Sequence, residues 1–183
     1  MLKKILIALA IIPFVAVSLY FFVTVSSCTY RLHTDVFLND SEKQEPDYLG
    51  FKESEFELID KFNNQGMFAD GTDYRVFDCS KNTEKSLELI KDWKPLPLSN
   101  NLDAWLNGGM VDDGEEVYHR ESSLPNEIKI PNIKNGVYKF YDLHDESTSP
   151  LDDSKIFKRY SWDFCFGIYD LDTNKLYYIE EHT

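Results

Sequence analysis

The chain has 183 residues, and 32 acidic against 19 basic side chains give it a formal net charge of −13. An acidic excess of this size repels nucleic acid and anionic lipid, which excludes phosphate-backbone recognition as a function. The length accommodates one folded domain beyond an N-terminal segment.

That segment comes first along the chain. Lys3 and Lys4 are followed by residues 5–25, which carry no charge. A helix needs roughly 20 apolar residues to cross a hydrocarbon core of about 30 Å. The apolar core of a cleaved signal is shorter, about 7–15 residues. The length therefore favours a membrane-spanning anchor over residues 1–28. The lysines before it place the N-terminus in the cytoplasm and the remainder outside, as a single-pass protein. A lipoprotein is the competing reading. Val25-Ser26-Ser27-Cys28 resembles the bacterial lipobox, in which the cysteine is acylated and two or three chains hold the protein to the membrane. An ordinary cleaved signal is the third. All three export the rest of the chain, whose charge becomes −15 once Lys3 and Lys4 are set aside.

Residues 29–50 are polar, lack apolar periodicity and read as a tether. The folded domain is expected over 51–183. Ser54-Glu55-Phe56-Glu57 fits a capping box, with Leu58, Ile59 and Phe62 as the stripe of a first helix and Gly66 as its end. Residues 74–79 are rich in strand formers. Ser80 or Asn82 is placed to cap a second helix that turns Leu87, Ile90 and Trp93 inward until Pro95 and Pro97 stop it. Ser99 is placed to cap a third, with Leu102, Trp105 and Leu106 inward and Gly108-Gly109 at its end. Asp112-Asp113-Gly114 is a turn, and Leu124-Pro125 and Ile130-Pro131 interrupt regular structure. Asn135-Gly136 precedes a strand over 137–142. Trp162, Phe164, Phe166 and Ile168 alternate with Asp163, Cys165, Gly167 and Tyr169, the period of a strand. A turn at Asp172-Thr173-Asn174-Lys175 returns the chain as a second strand over 176–181. The expected fold is α+β: a membrane-spanning helix, then short helices packed on one face of a mainly antiparallel sheet that ends in a C-terminal hairpin.

Chemistry is sparse. Export permits a disulfide between Cys79 and Cys165, both in strand-like segments. The alternative is two small buried thiols. Asp170-Leu171-Asp172-Thr173-Asn174 opens like a calcium loop, but Lys175 stands where glycine is required, so a hairpin turn is preferred. The loop after residue 142 is the densest polar cluster. Asp142, Asp145, Glu146, Asp152 and Asp153 are candidate ligands for Ca2+, against a solvated acidic loop as the plain alternative. His144 is a candidate base there. His119, Glu121, Ser122 and Ser123 lie close together but lack the strained serine turn and oxyanion hole of a hydrolase. No complete catalytic constellation and no cofactor motif is present in the sequence.

Asp92-Trp93-Lys94-Pro95-Leu96-Pro97-Leu98, the acidic loop over 142–154, Arg159-Tyr160-Ser161, Ile168-Tyr169-Asp170 and Leu176-Tyr177-Tyr178 resemble a family of small, uncharacterised exported bacterial proteins. The resemblance spans roughly half the chain. It implies an α+β protein of the bacterial envelope and brings no activity and no catalytic residue. The expected function is that of a non-enzymatic, membrane-anchored module that binds a partner in the cell envelope. A Ca2+-responsive acidic-loop domain, or an acidic inhibitor or immunity-type protein, is the alternative.

Overall fold

The structure is a computed structural model that describes residues 48–66, 70–144, 147 and 149–183. The anchor over 5–25, Cys28, Asp145 and Glu146 lie outside the described residues. Among those that are described, no helix is long and apolar enough to cross a membrane.

Among the described residues, eight strands and two α-helices form the domain. In chain order they are β1 (Glu57–Asn63), β2 (Gly71–Asp78), α1 (Thr83–Ile90), β3 (Lys94–Pro95), α2 (Asn100–Asn107), β4 (Gly109–Asp112), β5 (Val117–Arg120), β6 (Gly136–Asp142), β7 (Asp163–Asp170) and β8 (Lys175–His182). Six strands make one sheet in the order β1-β2-β8-β7-β6-β3, and β4 and β5 form a separate hairpin. Every neighbouring pair is antiparallel. The fold is α+β, as the sequence suggests.

The C-terminal hairpin is the centre of the sheet. β8 pairs with β7 from Lys175↔Asp170 to His182↔Asp163, and with β2 from Lys175↔Asp78 to His182↔Gly71. The turn between β7 and β8 is held locally. Asp170 accepts from the Asp172 N–H at 2.9 Å and from the Thr173 hydroxyl at 2.7 Å, and Asn174 takes the left-handed φ of 54°. This is the Asx geometry of a tight turn, not a calcium loop.

The helices do not share a face, contrary to the sequence expectation. On the first face Val76, Phe164, Phe166 and Ile179 meet Leu102, Trp105 and Leu106 of α2. On the second face Phe77, Cys165, Tyr169 and Tyr178 lie under Leu49, Phe51, Ile90 and Trp93. The physical reason is the path between the helices. β3 joins the sheet at its outer edge beside β6, so the chain leaves α1 on one side and enters α2 on the other. The central strands are accordingly buried on both faces. Gly167 makes this possible on the second face. A Cβ there would lie 2.8 Å from both Leu49 Cδ1 and the Trp93 ring. Leu49, read as the end of the tether, is a core residue.

Two local expectations are also corrected. Residues 57–63 form strand β1, not a capped helix; only a 3-10 turn, Glu53–Glu55, precedes it. Pairing with β1 covers the outer edge of β2 from Asp73 to Asp78, which a helix would leave open. In α1, Ser86 and Ile90 are buried while Leu87 is exposed. Asn82 precedes this helix but its side chain makes no cap; it donates to the Glu55 carbonyl instead. α2 conforms to expectation. Ser99 accepts from the Leu102 N–H at 3.2 Å, and Gly108, at φ 77°, donates to the Ala104 carbonyl.

Candidate functional site: an apolar-floored cleft opposite a polar sheet end

The polar residues gather at one end of the sheet, where β6 ends, β7 begins and β8 ends. Asp142 closes β6 on the first face. Arg159 donates to it twice, from Nη1 at 2.9 Å and Nη2 at 2.7 Å, and the two side chains are 2% and 4% exposed. The Asp142 carboxylate also accepts the His144 N–H. His144 Nε2 lies 3.1 Å from the Ser161 hydroxyl.

On the second face His182 stands between two carboxylates. Its Nδ1 is 2.8 Å from Asp163 and its Nε2 is 2.9 Å from Glu180. The Glu180 bond and the nearby acidic charge raise the His182 pKa. Burial pushes Glu180 up, but His182, Tyr178 and Arg75 outweigh it and the net shift is down. Both ring nitrogens are engaged, so this imidazole ties the ends of β7 and β8 together rather than standing ready as a base. Glu181 turns to the other face, where it accepts from the Thr72 hydroxyl at 2.8 Å and burial raises its pKa.

Most of the described residues singled out from the sequence have partners within the fold. Of the candidate Ca2+ ligands, Asp142 is occupied by Arg159. Asp152 accepts from the Ser154 N–H and hydroxyl in a local turn. Asp153 accepts from Ser99 at the head of α2. Each of these three carboxylates has a different partner, and no group of three or more potential metal ligands forms among the described residues. The Cys79–Cys165 disulfide is not formed. β8 separates β2 from β7, and Cys165 pairs with Glu180 while Cys79 follows the residue that pairs with Lys175. Two strand spacings and several residues of offset put the Cα atoms far beyond the roughly 7 Å limit for a bridge. Burial pushes the Cys79 thiol up to about 11. Cys165 lies 3.4 Å from the Tyr178 hydroxyl. Ser122 donates to the Leu106 carbonyl and Ser123 accepts from Arg120, so neither is aligned as a nucleophile.

A concave feature among the described residues lies on the first face toward the opposite end of the sheet. It is a cleft of about 580 Å³. Two proline-containing segments, residues 96–98 and 130–133, form its walls, and Leu106 of α2 and Ile168 of β7 its floor. The Leu96-Pro97 peptide is cis. Leu106 and Ile168 are buried, whereas Asp103, Asn107, Asn132 and Lys134 stand exposed around the rim. Asn107 donates to Asp103 at 2.8 Å. An apolar floor with a few polar groups at its edge, in a volume between about 300 and 1,000 Å³, is the usual form of a small-ligand site. Sequence reasoning treated Pro97 and Pro131 only as breakers. The available signal was that each sits among Leu or Ile residues, which breakers on a solvated loop do not require. No family model matches the chain, and no curated protein or solved structure matches it.

Proposed function

We propose that the protein is a non-enzymatic binding module, exported and held at the bacterial membrane through residues 5–25 or an acylated Cys28. The cleft bounded by residues 96–98 and 130–133 is the observation that carries the binding assignment. Its floor offers buried apolar surface, and its rim offers one carboxylate, one ammonium and two amides to orient what enters. The export assignment rests on the uncharged run after Lys3 and Lys4. The polar sheet end supports a structural role for Asp142, Arg159 and His182, because each is engaged by groups of its own fold. The envelope partner is therefore sought at the cleft.

The test is substitution of the floor. Leu106→Gln and Ile168→Gln are made in the full-length chain, and envelope extract is crosslinked to wild type and variants. A species captured by wild type and lost from both folded variants supports the assignment. Equal capture by all three moves the binding surface elsewhere and removes the cleft from the function.

A further inference from the structure

We propose that the cleft takes a short apolar peptide with free termini, its amino end at Asp103 and its carboxylate at Lys134. This rests on the reading of the cleft as the binding site. Volume sets the first limit: about 580 Å³ admits a few residues and no folded partner. Charge sets the second. The rim carries one acidic and one basic side chain, so a singly charged amphiphile meets one favourable and one unfavourable group, while a zwitterion meets two favourable ones. Asn107 and Asn132 add amides to the rim, and an amide bonds both the N–H and the C=O of a peptide. Among the described residues no side chain or backbone group engages the Lys134 ammonium or the Asn132 amide, so both are available to a ligand. Pro97 and Pro131 have no backbone N–H, which removes two donors from the walls and disfavours recognition by strand addition. Leu96, Leu98, Ile130 and Ile133 then accept the peptide's side chains.

The experiment uses the full-length chain in lipid nanodiscs with labelled Ile and Leu methyl groups. The probes are Leu-Leu-Leu with free termini, the same tripeptide acetylated and amidated, and sodium hexanoate. The free tripeptide is expected to shift Ile133, Ile168 and Leu98 and to leave Leu176 on the opposite face unmoved. Capping both ends is expected to weaken binding about fivefold or more, the scale of one to two exposed charge pairs. In Asp103→Asn the penalty for acetylation disappears, and in Lys134→Gln the penalty for amidation does. Equal binding of free and capped peptide, or preference for hexanoate, overturns the peptide assignment while leaving the cleft a binding site. Failure of all three probes to shift cleft methyls at roughly 10 mM, a limit weaker than any specific site requires, overturns both.

Discussion

At the scale of single residues, the fold is most sensitive where a charge has lost its water and depends on one partner. Asp142 and Arg159 are nearly inaccessible and bonded through two parallel contacts. Removing one partner strands the other, at a cost of about 3–5 kcal/mol, whereas replacing both with apolar groups of similar size is far milder. Arg159→Met is therefore expected to lower the urea midpoint sharply, and Asp142→Leu combined with Arg159→Met to recover much of the loss. His182 gives a pH dependence whose sign is set by the direction of its shift. Its folded pKa is raised, so its contribution is complete below about 6.5, the unfolded value, and is lost as pH rises through the folded one. Glu180 is depressed, so its contribution is present above its unfolded value and lost in acid. Asp163, Glu180, Arg75, Asp73, Tyr178 and Cys165 are the ionisable neighbours on the strands of this face. Equilibrium unfolding across pH 6 to 9 is expected to show an alkaline decline in wild type that His182→Gln lacks. The site residues were poorly legible in the sequence for a related reason. Asp142 looked like a metal ligand because its type and acidic neighbours were visible, while Arg159, 17 positions away, was not visibly its partner.

Among elements, legibility followed how local the determining forces were. α2 could be read because Ser99, its inward Leu and Trp residues and Gly108 all act within one short segment. The β7–β8 hairpin could be read because alternation and the turn chemistry agree. β1 could not. Its residues fit a helical stripe, and the deciding interaction is the open edge of β2, which a local window does not contain. The second buried face was missed at Gly167, read as an outward position in a two-periodic strand. That glycine is in fact the space into which Leu49 and Trp93 pack. Gly167→Ala is expected to cost about 1–3 kcal/mol by overpacking, measured by thermal or urea unfolding. The same substitution combined with Leu49→Ala, which withdraws one of the two contacting groups, is expected to lose less than the sum of the single changes.

For the whole molecule, the sheet has two edges and meets the hazard of each differently. One edge is β3, only two residues long and ending in Pro95, which has no N–H to offer an approaching strand. The other is β1, seven residues long, exposed along most of its length, with Leu58 and Ile59 each 44% accessible. An edge of that length invites pairing with another chain. Two features oppose it: a break in register between Leu58 and Asp60, and the opposite charges of Asp60 and Lys61 beside it. The acidic excess of the whole chain adds a longer-range repulsion. The two contributions separate in one variant, because replacing both Asp60 and Lys61 with valine leaves the net charge unchanged while removing the local guards and raising strand propensity. Asp60→Val with Lys61→Val is therefore expected to fold as wild type does and to associate as concentration rises, read by sedimentation velocity. The association should persist at high salt, since the long-range repulsion is then screened in wild type and variant alike. Equal sedimentation of the two proteins at high salt, where the long-range repulsion is screened, would assign the protection of this edge to the irregularity in β1.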